Sequence, residues 1–491
     1  MNLGIVVYVL GNILEIAGGL MSFPCIVAII FHEHEGWYFL VTALISFALG
    51  YLIKRHKPAN SVFFLREGCV ATALSWILIS IVSALPMCLC GAIPSFTDSL
   101  FEMISGYTTT GSSILSDVEA LPQCCLFWRS FSHWIGGMGV LVFMLAILPS
   151  SNGSRMNLMK AESPGPVVGK LVPKVRETAI ILYWLYLIMT VIELVFLLAG
   201  RMPLLEAMEV TFGTAGTGGF GVRNDSCASY SPYIQWVIGI FMMLFGVNFN
   251  AYFLISRGRI KDALKLEEVR GYFIMIAAAC GLIIMNMIHS TYNLADLVRH
   301  VFFQVSTLAT STGYVTADFD KWPDFSKSIL IFIMFIGACA GSTGGGLKVS
   351  RFIILIKNGA REVGKYLHPK SVRRIKSDGK SLDEETVTSI NVYLYTFLAI
   401  FVVSVFLVSF EGRDMITNFT AVLTAYNNMG PGFGDVGPTK NFGGLSNFSK
   451  YVLMFDMLAG RLELYPLLLI FNPMLWAEAI SERNSRIRHR K

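Results

Sequence analysis

Four short stretches of this sequence carry the residue types that can strip water from a cation. They read Thr108–Thr109–Thr110–Gly111–Ser112–Ser113, Gly216–Thr217–Gly218–Gly219–Phe220–Gly221, Ala309–Thr310–Ser311–Thr312–Gly313–Tyr314 and Asn427–Asn428–Met429–Gly430–Pro431–Gly432–Phe433–Gly434. Backbone carbonyls from loops that converge on one axis can replace the hydration shell of a cation. They point alike only where some residues take dihedrals closed to a side chain with a Cβ, which glycine supplies. Taking Gly111, Gly218, Gly313 and Gly430 as equivalent gives intervals of 107, 95 and 117 residues. The candidate selectivity filter is then Thr109, Thr110 and Gly111; Thr217, Gly218 and Gly219; Thr312, Gly313 and Tyr314; and Asn428, Met429 and Gly430.

Each loop needs an element to aim it. Before each lies a half-apolar stretch of about 10–15 residues, too short for a hydrocarbon core of about 30 Å. These stretches are Phe96–Tyr107, Pro203–Phe212, Leu294–Leu308 and Asp414–Tyr426. A short helix ending at its loop brings the negative end of its dipole near the ion. Longer apolar runs flank each unit, and ten spans are predicted: 3–31, 36–53, 68–93, 127–149, 178–200, 233–256, 270–288, 328–356, 390–410 and 449–478. The fold class that follows is an all-α polytopic membrane protein. Two N-terminal spans (1–66) precede four repeats of span, short helix, glycine loop and span (67–155, 156–260, 261–380 and 381–491). One Gly/Thr motif alone would be read as helix packing by small residues; four at matched positions are an internal repeat, which overrides that reading.

Composition agrees. Of 491 residues, 54% are hydrophobic and 15% charged, against roughly 25% charged in a soluble domain; a free-standing soluble enzyme, a disordered chain and a secreted disulfide scaffold are excluded. With an internal N-terminus, 29 of the 39 basic residues fall in the segments 54–66, 155–176, 257–270, 348–380 and 483–491, the positive-inside bias. An even number of spans puts both termini on that side, and the opening run, with no basic residue before Lys54, is a retained span. The basic run Lys370–Lys376 is read as part of this bias and not as a nucleic-acid site. Nine cysteines include no Cys-x-x-Cys; Cys88/Cys90 and Cys124/Cys125 fall at one external edge, where helix packing by small residues is the preferred reading over a disulfide or metal site.

Two features sit under the loops. The eighth span holds Gly341, Gly344, Gly345 and Gly346, and three consecutive glycines each cost a helix roughly 1 kcal/mol relative to alanine, so a break is predicted. Arg461 lies in an otherwise apolar span, where a charge requires a cavity or partner; Asp456 and Glu463 are candidates, neither at helical spacing from it. An intramembrane hydrolase would need a paired nucleophile and base; Ser342 and His133 are the nearest candidates, with no motif linking them. Inverted repeats of a secondary transporter do not suit four units of one orientation.

The loops, together with His133–Trp134–Ile135–Gly136–Gly137–Met138–Gly139 and Gly460–Arg461–Leu462–Glu463–Leu464, resemble the Trk/Ktr/HKT superfamily of potassium transporters, its TrkH-like membrane subunits above all. The resemblance covers essentially the whole chain. It implies a pseudo-tetrameric pore, potassium as the transported ion with no bound organic cofactor, and a bacterial inner-membrane location with cytoplasmic termini. It implies a homodimer and a cytosolic TrkA-like subunit binding NAD(H) or ATP/ADP, for which 155–176, 348–380 and Arg483–Lys491 are docking candidates. It casts the glycine run as an intramembrane gate and Arg461 as a pore barrier to cations. Sodium-preferring plant relatives carry serine where Gly111 stands, so glycine favours potassium; Met429 and Pro431 depart from a potassium-filter pattern and leave a less selective K+/Na+ transporter as the alternative.

Overall fold

The computed structural model describes residues 1–55, 64–139, 175–290, 292–371 and 373–477. Its apolar runs are helical because in hydrocarbon each backbone N–H and C=O must find a partner within its own segment. The first run is α1 (Leu3–Leu20) continuing as α2 (Ser22–Phe31), and the second is α3 (Gly36–Lys54). Small residues let α1 and α3 cross closely: a Cβ at Gly18 would lie 2.7 Å from the Ala43 carbonyl oxygen. Lys54 and Glu15 close the end of this pair at 2.5 Å.

The first repeat contains α4 (Leu65–Leu89), α5 (Phe96–Tyr107) and α6 (Gln123–Gly137). The second contains α7 (Val175–Ala199), α8 (Leu204–Gly216), α9 (Pro232–Phe245) and α10 (Phe249–Ser256), and the short α11 (Ile260–Lys265) joins it to the third. The third contains α12 (Glu267–Met287), α13 (Leu294–Ala309), α14 (Asp324–Ile336) and α15 (Val349–Leu367). A two-stranded antiparallel hairpin (Lys376–Ser377 and Lys380–Ser381) leads to the fourth, with α16 (Glu384–Val408), α17 (Met415–Asn427), α18 (Asn447–Arg461) and α19 (Tyr465–Ile470). Three of the four short helices start on side-chain caps. Ser95, Asn293 and Asp414 accept from the amides of Asp98, Asp296 and Thr417, each satisfying a donor the helix start leaves free.

Six helices among the described residues are long and apolar enough to cross a membrane, or seven if the bent pair α9–α10 is counted as one span, where the sequence predicts ten spans. The difference lies in the second helix of each repeat. α6, α9, α14 and α18 have 15, 14, 13 and 15 residues, about 20–23 Å at 1.5 Å per residue. α9 and α10 meet at 92°. α14 stops at Gly337 (φ 74°), and α18 stops before Glu463 and Leu464 (φ 61° and 64°). The predicted spans 233–256, 328–356 and 449–478 are therefore broken, and 127–149 continues past Gly139 outside the described residues. Glycine sits where a second helix passes the end of a short one: a Cβ at Gly136 would lie 1.9 Å from the Tyr107 oxygen, and one at Gly460 2.1 Å from the Tyr426 oxygen. The two glycine-bearing stretches 133–139 and 460–464 are thus points of close backbone approach in repeats one and four.

Candidate functional site

All four short helices end in the same way. Thr109, Thr217, Ser311 and Asn428 take left-handed dihedrals, with φ of 55°, 56°, 58° and 53°. The amides of the next residues, Thr110, Gly218, Thr312 and Met429, bond to carbonyls five residues back at 2.8, 2.8, 2.8 and 2.9 Å. This is a Schellman turn, built without the glycine that usually holds its left-handed position. The third residue of each turn is glycine at positive φ: Gly111 (78°), Gly219 (74°), Gly313 (93°) and Gly430 (80°). The four triplets are Thr109–Thr110–Gly111, Thr217–Gly218–Gly219, Ser311–Thr312–Gly313 and Asn428–Met429–Gly430. The equivalence read from the sequence is thereby corrected by one residue in the second repeat, where Gly219 and not Gly218 matches Gly111. Ser311, absent from the predicted set, joins the third triplet. Tyr314 falls one residue past it, its hydroxyl donating to the Val210 carbonyl at 3.1 Å.

The triplets form a closed ring. A Cβ at Gly111 would lie 1.9 Å from the Gly218 oxygen, one at Gly219 1.9 Å from that of Thr312, one at Gly313 2.7 Å from that of Met429, and one at Gly430 3.1 Å from that of Thr110. Each glycine thus lies against the middle carbonyl of the next loop, in the order one, two, three, four and back to one. Side chains tie the closing joint: Asn428 Nδ2 donates to Thr110 Oγ1 at 2.9 Å, and Ser112 Oγ donates to the Gly430 oxygen at 3.1 Å. Left-handed dihedrals at Thr109 and Thr217 cost of order 1–3 kcal/mol each, so the surroundings must hold them.

An outer layer does so. Beyond each of three triplets, the amide five residues past the left-handed position bonds to a side chain of the preceding short helix. Glu102 accepts from Ile114 N at 3.0 Å, Thr420 from Phe433 N at 3.0 Å, and Gln304, with its amide oxygen turned to the loop, from Thr316 N at 2.8 Å. Glu102 is also ion-paired with Arg129 at 2.7 Å, both side chains at most 1% exposed. Removing one partner of a buried pair strands the other charge, at about 3–5 kcal/mol. Glu102→Ala is therefore expected to lower the thermal stability and membrane yield of the chain sharply, and Glu102→Gln, which keeps an acceptor for Ile114 N, to lower them less. Fluorescence-detected melting of the detergent-extracted protein checks this order.

Beneath the third and fourth triplets runs the loop 337–348, the predicted break. Gly345 N donates to Ser311 Oγ at 2.5 Å. A Cβ at Gly344 would lie 2.8 Å from the Thr310 oxygen, and one at Gly345 2.3 Å from the Asn427 oxygen. Gly341 O accepts from Phe249 N at 3.0 Å. Gly346 takes φ 85° and Lys348 φ 79°, and the Lys348 ammonium donates to the carbonyls of Gly344 and Gly345. Glu268 clamps the far side, accepting from Ala340 N at 2.6 Å and Asn248 Nδ2 at 3.2 Å. Arg461 reaches the same loop. Its guanidinium donates to Thr343 O at 2.8 Å and, on α6, to Gly136 O at 2.5 Å and Gly137 O at 2.8 Å. Of its two candidate carboxylate partners, Glu463 pairs with Arg351, and Asp456 accepts from Ser404 Oγ at 2.7 Å. Lys348 and Glu268 escaped sequence reading because each looks like one more charge at the basic edge of a span.

Two other expectations concern pairs. Ser342 Oγ donates to Cys339 O at 2.6 Å, while neither ring nitrogen of His133 has a hydrogen-bond partner among the described residues, so the two form no nucleophile–base pair. Cys90 and Cys125 do approach, with Sγ atoms 3.9 Å apart, and remain free thiols. Of the docking candidate 155–176, residues 155–174 lie outside the described residues, as does all of 483–491.

Short helices aimed at one ring of loops, between longer apolar helices, define a pore-loop membrane protein. The chain belongs to the TrkH family of cation transport proteins, whose family model matches residues 38–483. It is 34% identical to the Trk system potassium uptake protein TrkH of Salmonella typhimurium, over 96% of this chain and 98% of that protein. It is 32% identical to the Trk system potassium uptake protein TrkG of Escherichia coli K12, over 92% of this chain and 94% of that one. The crystal structure of the potassium transporter TrkH from Vibrio parahaemolyticus superposes with a TM-score of 0.87 at 30% identity, covering 97% of this chain and all of that one.

Proposed function

We propose that this chain is the membrane subunit of a potassium uptake system. K+ loses its water at the four triplets and then passes the loop 337–348, which opens under control of a cytosolic partner. The observation that carries the reading is the closed ring, in which four equivalent carbonyls are presented by four equivalent turns at the C-terminal ends of four helix dipoles. The relatives' names, potassium uptake proteins of Trk systems, support the ion. Gly111 supports potassium over sodium. Residues 1–66 are the N-terminal pair of helices, and the repeats run 67–155, 156–260, 261–380 and 381–491.

In this reading Gly341, Gly344, Gly345, Gly346 and Arg461 form the gate, and the chain carries no organic cofactor and performs no catalysis. It works as a homodimer in the bacterial inner membrane with both termini cytoplasmic, the side on which 29 of its 39 basic residues fall. Its partner is a TrkA-like subunit that binds NAD(H) or ATP/ADP and docks on the basic segments.

The test is growth of an uptake-deficient host on limiting potassium. The parent chain, co-expressed with its regulatory partner, restores growth, and Gly111→Ser lowers the ratio of K+ to Na+ flux by about tenfold. A parent that reaches the membrane and gives no rescue sinks the potassium reading; an unchanged flux ratio in Gly111→Ser sinks the role of this glycine. The less selective alternative, carried by Met429 and Pro431 in the fourth loop, is read from the parent's own flux ratio.

A further inference from the structure

Gly218 stands apart from the other middle residues of the ring. Thr110, Thr312 and Met429 carry side chains, whereas Gly218 has none, and its φ lies outside the left-handed range that marks Gly219. Its backbone therefore does not require glycine; its surroundings do. A Cβ at Gly218 would lie 2.2 Å from Nδ1, 2.3 Å from Cγ and 2.6 Å from Cε1 of His133. The three nearest atoms all belong to one imidazole, and it comes from α6, in the repeat before.

That ring is held from behind. His133 is fully buried and stacks on Phe220 with centroids 4.2 Å apart and planes at 24°. The Arg129 guanidinium also lies over Phe220, 4.2 Å from its centroid, and Arg129 is fixed by Glu102. The backbone of His133 abuts the same loop, since a Cβ at Gly216 would lie 2.3 Å from the His133 oxygen. With both ring nitrogens lacking hydrogen-bond partners among the described residues, what the imidazole contributes here is shape.

We propose that His133 is a positioning residue for ion selectivity: its ring takes the place of the side chain missing from the second loop and fixes the Gly218 carbonyl against Gly111. This rests on the reading of the triplets as the selectivity filter. Without the ring the second loop can relax outward, and a carbonyl ring of looser diameter discriminates less between K+ and Na+.

The test measures Rb+ and Na+ flux in proteoliposomes of the full chain. His133→Ala is expected to lower the Rb+/Na+ ratio at least fivefold, and Gly218→Ala, whose methyl collides with the imidazole, to lose at least tenfold in Rb+ flux. The double variant His133→Ala/Gly218→Ala puts a methyl into the vacated space and is expected to recover at least half of the parental ratio. A ratio within twofold of the parent in His133→Ala, or a double variant no better than Gly218→Ala, overturns the proposal. Should His133→Ala fail to reach the membrane, His133→Leu, which keeps the bulk, is expected to retain the parental ratio; a collapsed ratio in folded His133→Leu overturns it equally. Gly111→Ser separates the two levels. If it shifts the ratio while the His133 variants do not, only the inference about His133 fails; if it too leaves the ratio unchanged, the filter reading fails with it.

Discussion

Replacing Arg461 with alanine is expected to raise K+ flux through the chain by at least about tenfold in proteoliposomes that contain no cytosolic partner. The arginine donates to Thr343 O in the loop and to Gly136 O and Gly137 O on α6, bracing the loop across the pathway proposed for the ion. Hydrogen bonds from a charged group contribute about 1.5–3 kcal/mol each. Since 1.4 kcal/mol is a factor of ten, loss of one such bond in the closed state alone shifts the opening equilibrium by at least that factor. The substitution also removes a positive charge from the proposed path of the cation. Arg461→Lys separates the two effects. A lysine keeps the charge, but its compact ammonium lacks the planar fork that reaches carbonyls on two segments at once. An intermediate flux assigns the restraint to bracing, and a parental flux assigns it to charge. Flux at or below the parent in well-folded Arg461→Ala would refute the assignment of this residue to the gate.

Alanine scanning of the four ring glycines is the second large effect, and its order is set by geometry. All four have positive φ, so alanine costs at least about 1–2 kcal/mol at each. What differs is the distance from a Cβ to the next loop's carbonyl: 1.9 Å at Gly111 and Gly219, 2.7 Å at Gly313 and 3.1 Å at Gly430. Gly111→Ala and Gly219→Ala must displace the backbone of the next loop and are expected to abolish uptake, a loss of at least about a hundredfold. Gly313→Ala is expected to retain some uptake and Gly430→Ala the most. Rb+ uptake normalised to membrane-inserted protein gives the ranking. Equal losses at all four positions would mean that the left-handed backbone, and not the contact between loops, sets the requirement.

Much of this site was legible in the chain because its parts are repeated. Gly111, Gly313 and Gly430 stand at matching places in their repeats, and a half-apolar stretch before each loop marks the helix that aims it. The one-residue slip at Gly218 and Gly219 arose because two adjacent glycines carry no side chain to say which takes the left-handed turn. Ser311 is not legible as part of the ring because serine, unlike glycine, gives no hint of positive φ. The break at 337–348 was announced by three consecutive glycines, but those after Phe245 and Arg461 lie inside apolar runs, and hydropathy does not register a bend. The partners of Arg461 could not be read at all. They include the main-chain oxygens of Thr343, Gly136 and Gly137, which every residue has, and the Trp76 ring, all presented by tertiary structure alone.

Ser311 belongs to the third triplet, and its hydroxyl accepts the amide of Gly345 in the loop below. One hydrogen bond is thus shared by the place where the ion is proposed to lose its water and the place proposed to open. If displacement of Gly345 changes the free energy of an ion in the ring, the ion must change the free energy of displacement by the same amount, because coupling between two binding equilibria is reciprocal. In the proposed reading external potassium would then be an effector of its own entry: the affinity of the proposed cytosolic partner, as one that prefers the open loop, would depend on which cation fills the ring.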